Sequence, residues 1–235
     1  MKNKKSNIMR ASAFPIAAIA IAISNSAQAY DFQVNETTAT IYGYAKLSVS
    51  YDFDSAMGPT VDHTAIGKGT DGHIDFNAYE SRIGFSTSTD MGGSKLKTNI
   101  EGDFYGLNGA FNLGVLRLRH AYGEWNGILG GQTWSNAQSF VGATPTVSFT
   151  GLGGIASANR QAQIRYTAGK FSAALEDPSG DVGGRVASPD LLQNLAPKGS
   201  EHSGTKSRFP DFTARYTDWS GAFRHSTAAV IRHLE

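Results

Sequence analysis

The sequence contains no cysteine in 235 residues, which excludes a disulfide framework, a thiol nucleophile and a cysteine metal site. Charge is sparse, at 17% Asp, Glu, Lys and Arg, against roughly 25% in ordinary soluble domains. Beyond the amino terminus there is no apolar run of the roughly 20 residues that a membrane-crossing helix needs. Histidines number 6 and are scattered; no metal or cofactor is expected. His225 beside Ser226, and His120 with Glu124, form no nucleophile, base and orienter set, so a hydrolase is the weakest of the alternatives.

The opening residues carry a different signal. MKNKKSNIMR is basic, AFPIAAIAIAI apolar, and SNSAQA ends in small residues, the pattern of a signal peptide spanning 1–29 and cut after Ala29. Lys2, Lys4, Lys5 and Arg10 leave with it, 4 of 21 basic residues, so 17 remain against 20 acidic ones, net −3. A mildly acidic exported chain gives no reason to expect nucleic-acid binding.

What the rest of the chain has is alternation. In SKLKTNIEGDFYG (94–106), Lys95, Lys97, Asn99, Glu101, Asp103 and Tyr105 take one parity and Leu96, Thr98, Ile100, Gly102 and Phe104 the other. Strand side chains alternate between faces, so the segment predicts a ribbon with one charged and one apolar side. Such a ribbon fits a half-buried soluble strand or a barrel strand between lipid and water. The same pattern predicts strands at 40–53, 76–89, 113–125, 127–135, 160–168, 169–177, 210–218 and 222–232. Residues 30–39 are expected as a short periplasmic lead-in.

The connections favour the membrane setting. Every second one is tight (DMGG, NG, Gly169, SG), while 54–75, 136–159 and 178–209 are long. Outer-membrane barrels show this asymmetry, with short periplasmic turns and longer extracellular loops. The expected class is therefore all-β, a transmembrane antiparallel β-barrel of porin type, in the outer membrane of a Gram-negative bacterium. A non-conducting barrel serving as adhesin or structural anchor remains a second reading.

YGYAKLSVSYDF, NAYESRIGFSTST, LRLRHAYGEW followed by ILGGQTWSN, and NRQAQIRYTAGKFSAALEDP resemble the DcaP-like family of trimeric outer-membrane porins. The resemblance runs from about residue 40 to 177. It implies about sixteen strands, a homotrimer, a third loop (136–159) folded into the pore, and diffusion of small anions such as dicarboxylates. Members of that family carry a coiled coil ahead of the barrel; here only YDFQVNETT separates the leader from the first long strand. The nine strands in 40–235 and the ending RHLE, without a terminal aromatic residue, lead to the expectation of an incomplete, truncated barrel.

Lysine or arginine facing lipid at the midplane costs roughly 2–4 kcal/mol, so charges are expected to face the lumen. Near mid-height this places Lys46, Arg82, Arg117, Arg119 and Arg165 as an anion-selecting row, with the acids Asp52, Glu80 and Asp103 toward the outer mouth. The alternative is that the arginines pair with Glu80, Glu101 and Glu124 and fill the lumen. Gly43, Ala45 and Ser81, too small or polar for an ordinary lipid face, are candidates for the subunit contact. Tyr51, Phe53, Tyr79, Tyr122, Trp125, Trp134 and Trp219 are candidates for the interfacial girdles.

Overall fold

The computed structural model describes residues 29–53, 72–106, 114–142, 160–178 and 208–233; 1–28, which is all of the leader but Ala29, and 54–71, 107–113, 143–159, 179–207 and 234–235 lie outside them. Among the described residues every regular element is a strand. In chain order these are β1 (Tyr30–Val34), β2 (Thr37–Tyr44), β3 (Ser48–Asp52), β4 (His73–Asn77), β5 (Arg82–Asp90), β6 (Lys95–Gly106), β7 (Val115–Trp125), β8 (Ile128–Trp134), β9 (Arg160–Ala168), β10 (Phe171–Glu176), β11 (Asp211–Ser220) and β12 (Phe223–Ile231). Ten form one antiparallel meander, β1-β2-β5-β6-β7-β8-β9-β10-β11-β12, and β3 pairs with β4.

Each tight connection is a hairpin of this meander. Between β7 and β8, Asn126 (φ 47°) and Gly127 (φ 80°) both occupy the left-handed region, as the type I′ turn that matches strand twist requires. Register then lines up one parity from strand to strand: Ile41 opposes Phe85 and Phe85 opposes Ile100, while one residue along Tyr42 opposes Gly84 and Gly84 opposes Glu101.

The resulting sheet is inverted relative to a soluble core. Buried apolar side chains among the described residues are Ala39, Leu129 and Ala174, whereas Glu80, Glu101, Asp103, Arg119, Gln161, Gln163, Glu176 and Asp211 are all buried. Large apolar groups are exposed: Ile100 is 56% accessible and Ile164 65%. In water that face would be strongly unfavourable; against hydrocarbon it is at rest.

Three stretches differ most from the sequence-based expectation: 30–39, 40–53 and 76–89, the last of which divides into β4 and β5 with β4 starting inside the expected loop 54–75. The lead-in is a strand: β1 pairs with β2 from Tyr30↔Ile41 to Val34↔Thr37. The strand expected over 40–53 breaks at 45–47, because register passes from Tyr44↔Arg82 to Ser48↔Asn77, setting three residues against the four of 78–81. That extra residue reverses the alternation of its strand. Ile74 and Phe76 are exposed before it, Ile83 and Phe85 after it. Side chains close the gap: Ser81 Oγ accepts from Lys46 N at 3.0 Å, and Lys46 Nζ bonds Glu80 Oε2.

Candidate functional site

The charged face of β5, β6 and β7 is a connected network. Arg117 grips Asp103 with two parallel bonds, Nε to Oδ1 at 2.9 Å and Nη2 to Oδ2 at 2.7 Å, the fork geometry of a strong guanidinium–carboxylate pair. Arg119 bridges Glu101 Oε1 (2.7 Å) and Asp103 Oδ2 (2.8 Å). Arg82 Nε stands 3.4 Å from Glu101 Oε1 without hydrogen-bond alignment, so charge alone couples them. Tyr42 OH donates to Glu101 Oε2 at 3.1 Å and accepts from Asn99 Nδ2 at 2.8 Å.

A bulge makes this network possible. Register shifts from Glu101↔His120 to Gly102↔Leu118, so Arg119 is the unmatched residue and lies on the same face as His120. His120 Nδ1 bonds Thr133 Oγ1 at 2.9 Å, and its ring sits 5.7 Å from that of Trp134. Glu124, opposite Lys97, lies four positions along β7 from His120, so the two do not meet as a catalytic pair.

The structure therefore redistributes the expected row. Lys46, Arg82, Arg117 and Arg119 come together, but with Glu80, Glu101 and Asp103 among them. Glu80 and Asp103, expected toward the outer mouth, contact these cations directly. Asp52 stands apart, at the end of β3 opposite His73.

Arg165 differs. It lies on the polar face of β9 opposite Leu129 and Ala174, and no carboxylate among the described residues is within 4 Å; the charges that reach it are those of Glu124 and Glu176. Two neighbours share this state and escaped the sequence reading. Arg160 lies over the Trp134 ring at 4.4 Å, with Arg119 at 5.9 Å from the same ring. Arg215 of β11 donates from Nη1 to Gln138 O at 2.7 Å. Its parity in DFTARYTDWS, with Asp211 and Thr213, was a usable signal.

Beyond β8 the chain turns onto this polar face. Gln163 Nε2 donates to Trp134 O at 2.9 Å, Ser172 Oγ to Asn136 Oδ1 at 2.6 Å, and Asn136 Nδ2 to Thr213 O at 3.4 Å. As the sequence advances from 134 to 138, its partners advance from β9 to β10 to β11. Residues 143–159 of the expected inward loop lie outside the described residues.

Of the candidate contact residues, Ala45 is exposed, and Ser81 is engaged with Lys46 within the chain. Gly43 has an internal reason to be glycine: a Cβ there would stand 2.3 Å from Arg82 O. Two girdle candidates sit on the polar side, Trp134 between the arginines and Tyr122 opposite Asn99. Trp125 stays exposed and donates from Nε1 to Ser94 Oγ at 2.9 Å, beside a tight turn.

Comparison with known proteins agrees with this geometry. None of the curated proteins matches. A solved structure, the outer membrane channel DcaP of Acinetobacter baumannii, matches with a TM-score of 0.66 at 24% identity, covering 86% of this chain and 55% of the other; the chain thus spans about half the length of that channel. The family model for DcaP outer membrane protein matches residues 17–220. An inverted sheet, tight turns at one end and that match together place the chain in the Gram-negative outer membrane, and it belongs to the DcaP outer membrane protein family.

Proposed function

We propose that this protein is a porin, a homotrimer through which small anions, dicarboxylates among them, diffuse passively without catalysis. One observation carries the anionic preference: Arg160, Arg165 and Arg215 line the polar face with no carboxylate within 4 Å among the described residues. The counter-charges that reach them are Asp103 for Arg160, Glu124 and the fully buried Glu176 for Arg165, and Glu176 for Arg215. Forked guanidinium groups in a narrow wall match carboxylate oxygens and concentrate anions. The paired group, Lys46, Arg82, Arg117 and Arg119, gives the same wall its rigidity and contributes less to selectivity.

Arg165→Gln tests this directly. A unit charge passing within ~4–8 Å of a solute in water is worth roughly 0.5–1 kcal/mol, so anion over cation preference should fall about 2- to 5-fold at low salt, where screening is least. Reversal potentials under a salt gradient in planar bilayers read this out. An unchanged potential removes the anionic reading, and a protein without conductance favours the adhesin or anchor reading.

The trimer has its own test. Because Gly43 is constrained within the chain, Ala45→Trp is the cleaner probe: it enlarges an exposed residue, and a trimer packed on that surface should dissociate at lower temperature in mild detergent. Equal heat stability would place the contact elsewhere.

A further inference from the structure

The reach of chain after β8 is held by one buried carboxylate. Glu176 is 1% accessible and Asn136 0%. Glu176 Oε1 accepts from the backbone N of Asn136 at 2.5 Å and from Thr213 Oγ1 at 3.0 Å. Asn136 in turn reaches both flanking strands with its side chain, to Ser172 and to the Thr213 carbonyl. A carboxylate so enclosed is costly unless its bonds are made, which makes the position of Asn136 specific rather than one of several resting places.

Past Asn136 the chain is turned by local bonds. Ala137 N donates to Ser135 Oγ at 3.1 Å and Gln138 N to Ser135 O at 3.0 Å, a serine-built turn that bends the chain at the end of the strand. Gln138 O then receives Arg215, and Phe140 packs its ring on Trp134 at 5.0 Å. Residues 135–140 therefore occupy space in front of the polar wall.

We propose that Glu176 is the positioning residue that fixes this inward course, and so sets the free cross-section in front of β9, β10 and β11. The proposal rests on the porin reading for its effect on transport, but not for the anchoring itself. Glu176 touches no solute; it acts through the backbone of Asn136. A glutamine retains an acceptor oxygen and an alanine does not.

Two measurements on the protein folded in detergent and in planar bilayers separate the parts. Loss of a buried bond to a charged acceptor should raise hydrogen exchange at the Asn136 amide about 10- to 100-fold in Glu176→Ala, with higher conductance and admission of larger neutral polymers. Glu176→Gln should stay near wild type in exchange and polymer cut-off, and in conductance at high salt, where the charge it removes beside Arg165 and Arg215 is screened. Should Glu176→Ala fail to fold, Ser172→Ala strips one bond from Asn136 while leaving every charge, and should shift the same readouts in the same direction. Unchanged exchange at Asn136 in Glu176→Ala overturns the anchor. Faster exchange with unchanged conductance and polymer cut-off overturns its control of the channel. If the wild type does not conduct, the porin reading falls and exchange still decides the anchor.

Discussion

Ile100→Arg is expected to weaken folding into the membrane, and Ser86→Arg to be tolerated, although the two positions lie on neighbouring strands. Ile100 faces outward in register with Phe85 and Ile41. Ser86 lines a cavity of about 210 Å³ on the other face with Thr40, Ser88, Lys97 and Asn99. Arginine against lipid near the midplane costs roughly 2–4 kcal/mol, while on the watered face its cost is small. Urea titration of folding into phospholipid vesicles should show that difference as a lowered midpoint for Ile100→Arg alone. A lowered midpoint for Ser86→Arg alone would mean that the two faces have been assigned the wrong way round, and equal midpoints that lipid does not tell them apart.

Asp103→Ala should be the most damaging single change on the polar face. Asp103 is fully buried between Arg117 and Arg119; its removal takes from Arg119, whose side chain is 5% accessible, one of the two carboxylates it bridges, leaving Glu101, while Arg117, at 34%, can recover water. Breaking a buried pair from one side costs about 3–5 kcal/mol, and the exposed share of Arg117 puts the expectation at the lower end. The same change frees positive charge in the lumen, so anion preference should rise even as stability falls. A loss under about 1 kcal/mol in urea unfolding would show that Glu101 alone suffices to hold Arg119.

The sidedness of the sheet was plain in the sequence because alternation is written residue by residue, and 160–168 was located to the residue. Asn126-Gly127 marked its hairpin because few other pairs accept two positive φ values. Bulges leave no such mark. Arg119 and the four residues 78–81 carry no turn signal of their own, yet each reverses the phase of its strand, and parity carried along an unbroken strand put Tyr122 on the wrong face. Pairing of the arginines with Glu101 was weighed from the sequence as the alternative, and Arg82 and Arg119 meet it there; the pair of Asp103 with Arg117 was hidden, since they meet only once the β6–β7 register is fixed. Arg215 and Glu176 were within reach of the parity argument that found Arg165. The role of Asn136 was not, because it depends on three strands converging on one side chain.

The alternation also bears on how the chain reaches its destination. Mean hydropathy of the chain is −0.28, and because polar residues interrupt the apolar ones along each described strand, none of these strands is a run greasy enough to halt in the inner membrane during export. Lipid affinity exists only after hairpins pair and bring one parity together. Biogenesis is thus selective by construction: an unfolded chain passes through a bilayer machinery that would retain a helix of the same total apolar content, and the periplasm must deliver it to the outer membrane before its edges find one another.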